Sequence, residues 1–197
     1  METEKPKRGR TGRTSVIILL ILAAAYLVTS MRCGEPIRTL PETRDLRDGD
    51  ILLLGSSTIR GRILKFLDGG SKWGHCGIAV APNMIAHADP KKGVVCQSIG
   101  EYLAENDVDC ICMLRPSTGN GKVAAAFALN CAQSGIGFDD SFGYKNGGGI
   151  YCTELVLLAW ESADVKILPD ATPGDRIAPS RILDGTNTIH VWNTPSS

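Results

Sequence analysis

Trp73–His87 reads WGHCGIAVAPNMIAH, and the reading of this stretch decides the fold. Two short apolar runs, HCGIAVA and MIAHAD, flank Pro82-Asn83, a turn-forming dipeptide, and together they predict a β-hairpin. Alternate residues of a strand share a face. His75, Gly77 and Ala79 therefore point one way, and Cys76, Ile78 and Val80 the other. The second set is larger and more apolar, so it is expected to face the core and to leave His75 on the more open face. His75 and His87 lie twelve residues apart. An odd-length loop puts them on one face, directly opposite or one diagonal apart, and directly opposite residues have Cβ atoms roughly 5 Å apart. An even-length loop would put the rings on opposite faces.

Outward from the hairpin, the pattern is that of a small mixed domain. Ile51 to Leu54 is an apolar run that reads as a buried strand. STIRGRILKFLDGG predicts a short helix closed by Gly69 and Gly70. GVVCQSI and DCICMLRP predict two more strands, with a helical turn from Ile99 to Glu105 between them. GKVAAAFALNCAQSG predicts an alanine-rich helix closed by Gly135. The glycine-rich GFDDSFGYKNGGG is a loop, and CTELVLLAWESAD a helix so apolar all round that it should be buried. A last strand is expected near TIHVWN.

Cys152 opens that apolar helix. A thiol at a helix start feels the positive end of the macrodipole, which favours thiolate, and a nearby imidazole favours it further. The free amides of the same helix end can hold the oxyanion of an attacked carbonyl. Gly147, Gly148 and Gly149 are expected to leave the approach open, with Gly149 and Tyr151 beside the substrate. Asp139 and Asp140 read equally well as a solvated loop or as a substrate-reading pair, Asp140 being the candidate contact. His75, His87 and Cys152 thus supply a base, a group to orient it and a nucleophile. Asp89, on the same face as His87, is a competing orienter.

The chain has 197 residues, 43% apolar and 21% charged, enough for one domain with a real core plus an appendage. Its formal net charge of zero gives no reason to expect a nucleic-acid partner. Lys5, Lys7, Arg8, Arg10 and Arg13 precede an apolar run from Val16 to about Met31. Residues 1–31 are therefore expected to be either a signal peptide or a membrane anchor, with the basic side inside and the domain exported. Residues 32–47 read as a linker and 48–197 as the domain. Ser30, Met31 and Arg32 make a poor lipobox for Cys33.

Seven cysteines in an exported chain invite a disulfide reading, but Cys76, Cys96, Cys110, Cys112 and Cys131 read better as small buried hydrophobes. A zinc site from His75, Cys76, His87 and Cys96 is disfavoured because neighbours in a strand point apart, so no metal and no cofactor is expected. TGNGKV lacks the Ser or Thr of a phosphate loop after its lysine.

GDILLL, WGHCGIAV, FDDSF and YCTELV together resemble the permuted papain-like cysteine hydrolases of the YiiX/YebB type, within the NlpC-like superfamily. The resemblance runs from about Asp48 to Asn193. It implies an α+β, circularly permuted papain-like fold, in which a small antiparallel sheet or partial barrel packs on the cysteine helix. It also implies that His75 is the base and Cys152 the nucleophile of amide or ester cleavage through an acyl-enzyme. The YiiX pattern usually has an acidic residue in the third position, where this chain has His87. The His–His spacing is instead similar to that of the lecithin retinol acyltransferase group. The implied substrates are accordingly cell-wall peptides or a lipid amide or ester at a membrane surface. A binding module using the same cleft without turnover is the alternative of another class.

Overall fold

The computed structural model describes residues 37, 40, 46–58, 61, 68–80 and 82–194. The chain divides into two compact units, Met1–Arg32 and Cys33–Ser197, and everything below concerns the second. The expected signal or anchor segment lies outside the described residues, as does most of the helix expected in STIRGRILKFLDGG. Among the described residues no helix is long and apolar enough to cross a membrane.

Strands β1 (Ile51–Ser56), β2 (His75–Val80), β3 (Met84–Asp89), β4 (Gly93–Ser98), β5 (Val108–Pro116) and β6 (Thr188–Asn193) form one sheet in the order β4-β3-β2-β1-β5-β6. Every neighbouring pair is antiparallel. Among the described residues, helices α1 (Ile99–Glu105), α2 (Gly121–Gln133) and α3 (Cys152–Glu161) accompany it, with a short 3-10 helix at Pro179–Asp184. The expected strands and helices that fall within the described residues all form. The hairpin loop between β2 and β3 has odd length, so both histidines share a face. The register pairs Ile78 with Ala86. Continued toward the start of β2, it sets Gly77 opposite His87 and leaves His75 one diagonal away.

The sheet separates two apolar clusters. One holds Ile51, Leu53, Cys76, Ile78, Cys110 and Cys112 against the buried sides of α2 and α3. The other holds Leu52, Leu54, Ala79 and Ile85 against Tyr102 and Leu103 of α1. This corrects one expectation from the sequence. Cys76 and Ile78 do face the main core, but the His75 side is not open: α1 covers it, and His75 and His87 are 8% and 1% exposed. The sheet is apolar on both faces because it is covered on both, which strand alternation alone does not reveal.

α3 sits where the sequence predicts. Leu155 and Val156 are fully buried, contributing about 2 kcal/mol each to holding the helix on the sheet. Trp160 Nε1 donates to the carbonyl of Gly49, just before β1, at 3.1 Å. α1 begins with a reciprocal cap: Ser98 Oγ accepts from the Glu101 amide, and Glu101 Oε2 accepts from the Ser98 amide at 3.0 Å. That start places Tyr102 and Glu105, three residues apart, on one side of the helix, toward the histidines.

Candidate active site

Cys152 is the first residue of α3, after the N-cap Tyr151, and is 4% exposed. The amides of the first helical turn have no carbonyl partner within the helix, and they lie beside the sulfur. Thr153 Oγ1 stands between two thiols, 4.0 Å from Cys152 Sγ and 3.9 Å from Cys76 Sγ. A hydrogen bond from the Cys76 thiol, against the opposing effect of burial, and the charge and hydrogen bond of His75 hold the Cys152 thiol well below its ordinary range. Burial and the neighbouring Cys152 push the Cys76 thiol well up. Of the two sulfurs, Cys152 is the one whose thiolate form is favoured. Sequence reading gave Cys76 a packing role only. Its contact with Cys152 follows from its facing α3, and strand parity already pointed it that way.

His75 Nε2 lies 3.1 Å from His87 Nδ1, and the rings meet edge to face with centroids 5.2 Å apart. The second nitrogen of His87, Nε2, lies 2.6 Å from Gln97 Oε1. Burial, then the like charge of His75, lowers the pKa of His87 to about 4. His87 is therefore a neutral ring at pH 7. Tyr102 packs on both rings, with centroids 4.7 Å from His87 and 5.7 Å from His75. Asp89 is occupied elsewhere: its Oδ1 accepts from the amides of Lys91 and Lys92, each at 2.8 Å. The geometry thus selects His87 over Asp89 as the partner of His75. Gln97 and Tyr102 were not found from the sequence. Gln97 is the one polar side chain inside the GVVCQ run, and it lies diagonally across the β3–β4 register from His87.

Two cavities meet at Cys152. The larger, of about 760 Å³, is lined by His75, Cys152, Asp89, Lys92, Asp140 and Phe138, among others. The smaller, of about 370 Å³, is walled by Tyr151, Phe142, Ile177 and Pro179, with Arg176 beside it. Asp140 thus lines the larger cavity and Tyr151 the smaller one. Gly149 does not line either one. A Cβ there would meet the Gly137 carbonyl oxygen at 2.8 Å, so this glycine lets two loops touch rather than leaving a path for substrate. Asp139 is buried and organises the loop, accepting from the amides of Ser141 at 2.8 Å and Gly143 at 3.1 Å. Glu154 does the same for the preceding turn, accepting from the Lys145 amide at 2.6 Å.

The six cysteines among the described residues are free thiols; Cys96 is half-buried rather than buried. His190 is exposed, its Nδ1 3.6 Å from Cys112 Sγ.

An antiparallel sheet carrying two histidines, packed on a helix whose first residue is a cysteine late in the chain, is a YiiX-like, papain-like α+β fold. One solved structure with this fold is the metalloprotein YiiX from Escherichia coli O157:H7, DUF1105. It matches with a TM-score of 0.61 at 16% identity, over 76% of this chain and 98% of that one. No family model and no curated protein matches the sequence. The YiiX structure is described as a metalloprotein, so the donor set here bears on whether a metal fits. Both nitrogens of His87 are engaged, by His75 and by Gln97. Among the described residues no three His, Cys, Asp or Glu side chains converge as a metal would require. The described residues do not fit such a site.

Proposed function

We propose that this protein is a cysteine hydrolase that cleaves an amide or ester bond through an acyl-enzyme. The observation that carries the reading is that Cys152, at a helix start, shares a cavity and a hydrogen bond with His75, which lies 3.1 Å from His87. Cys152 attacks the carbonyl carbon as thiolate, its proton resting on His75. The first-turn amides of α3 stabilise the oxyanion. His75 then gives its proton to the leaving nitrogen or oxygen. Water, deprotonated by His75, adds to the thioester and releases the acid and the free thiol. His87 stays neutral, orients His75 and accepts its hydrogen bond.

The two cavities suggest the form of the substrate. An apolar group on one side of the carbonyl suits the space between Phe142, Tyr151 and Ile177. A polar group on the other suits the space holding Asp89, Lys92 and Asp140. Cell-wall peptides and acyl lipids both meet this description. The basic, then apolar, first 31 residues favour action outside the cytoplasm or at a membrane surface, and no metal takes part in the scheme.

The test is a hydrolysis screen of the full chain on peptidoglycan fragments and on N-acyl and O-acyl lipids, with iodoacetamide labelling in parallel. Cys152 is expected to be the most reactive thiol, with labelling persisting well below pH 8, and Cys152→Ala is expected to abolish both labelling and turnover. A Cys152 no more reactive than Cys96 would refute the reading. Ligand binding retained in Cys152→Ala, without turnover in either protein, would establish a binding module instead.

A further inference from the structure

The histidine pair belongs to a longer series of hydrogen-bonded side chains. Lys92 Nζ lies 2.9 Å and 3.0 Å from the two carboxylate oxygens of Glu105, the last residue of α1. Glu105 Oε2 accepts from Gln97 Nε2 at 2.9 Å. Gln97 Oε1, His87 Nε2, His87 Nδ1 and His75 Nε2 follow in order.

The protons along this series can be assigned by elimination. An ionised carboxylate only accepts, so the Gln97 group facing Glu105 is its NH₂, and its carbonyl oxygen faces His87. A carbonyl oxygen also only accepts, so His87 Nε2 carries hydrogen. Neutral His87 then has a bare Nδ1, which accepts from His75 Nε2–H. With that position of His75 protonated, Nδ1 is the His75 nitrogen left to exchange a proton with Cys152.

We propose that Gln97 and Glu105 are positioning residues, which fix the tautomer of His87 and through it the ring nitrogen that His75 presents to Cys152. Gln97 touches His87, and Glu105 acts through Gln97; neither touches the reacting atoms. The assignment rests on the hydrolase reading above. The titratable or charged groups around His87 are His75 on β2, Asp89 on its own strand, Lys92 before β4, Tyr102 and Glu105 on α1, and Cys152 on α3. Of these, Glu105 is linked to His87 by hydrogen bonds only through Gln97, beside a weaker direct charge interaction, so the hydrogen-bonded path is separable by substitution at Gln97.

The experiment measures the rate of Cys152 alkylation by iodoacetamide in the full chain, read by peptide mass spectrometry from about pH 4 to about pH 9. Ordinary reactivity of Cys152 in the unaltered protein would remove the hydrolase reading itself, whatever Gln97 does. Given a reactive Cys152, Gln97→Met keeps the volume and loses the acceptor. It should slow alkylation near pH 6 at least about tenfold and move the profile toward that of an ordinary thiol. Exchanging the pair, Gln97→Glu with Glu105→Gln, restores an acceptor for His87 and a donor to it, and should recover most of the rate. An unchanged profile in Gln97→Met, or an exchanged pair no faster than Gln97→Met, would overturn the proposal. Should Gln97→Met fail to fold, ¹⁵N spectra of the imidazoles in the unaltered protein decide instead. A neutral His87 protonated at Nε2 supports the assignment, and one protonated at Nδ1 refutes it.

Discussion

At the scale of single residues, His87 carries a measurable consequence of its burial. Its pKa is lowered from 6.5 to about 4, first by burial and then by the neighbouring charge of His75. Between those two values the unfolded chain binds a proton that the folded chain refuses. Stability should therefore be intact above about pH 6.5 and fall as pH drops toward 4, by on the order of 3 kcal/mol. Urea denaturation at pH 7 and near pH 4.5 measures this, and His87→Gln should flatten the difference. An equally steep loss in His87→Gln would assign it to other groups. His75, His87 and Cys152 were legible in the sequence because each depends on local rules: the period of a strand and the start of a helix. Gln97, Glu105 and Tyr102 were not, because their approach to His87 depends on the β3–β4 register and on α1 folding over the sheet. Cys76 lay between the two cases, its direction readable but its partner not.

At the scale of elements, the hairpin works because Gly77 has no side chain. It sits opposite His87, and a Cβ there would meet Ile85 Cγ2 at 2.6 Å and the Tyr102 hydroxyl at 2.9 Å. The ring of Tyr102 can thus lie against both histidines only while position 77 is glycine. Gly77→Ala is expected to cost roughly 1–3 kcal/mol, as overpacking does, and to push Tyr102 off the rings. Thermal unfolding reads the first effect, and slower alkylation of Cys152 in the still-folded protein reads the second. A variant with unaltered melting and labelling would show that α1 can shift freely. The small neighbours of His75 on its strand predict an open face around it. The small residue is there to admit a tyrosine, and the room lies at the end of the strand instead.

At the scale of the whole domain, the sheet is fastened where its central strand enters. Asp50, 1% exposed, precedes β1, and Arg115 near the end of β5 grips it through Nε at 2.7 Å and Nη2 at 2.8 Å. Arg115→Leu leaves a buried carboxylate without its cation and should cost about 3–5 kcal/mol, whereas the double change Asp50→Leu, Arg115→Leu should cost much less. Denaturation midpoints of the two variants measure the difference, and equal losses would mean the pair acts through packing alone. The fold class was legible because the strands and helices have clear periods and short connections. The coverage of both sheet faces was not, since it depends on where α1 lies in space.

The order of these parts along the chain has one more consequence. His75 and His87 leave the ribosome with the early strands, and Cys152 follows only with α3, after most of the sheet has been made. On the proposed mechanism, a polypeptide at that stage holds the base without its nucleophile. Under the mechanism proposed above, the chemistry therefore waits until α3 has been made and has docked.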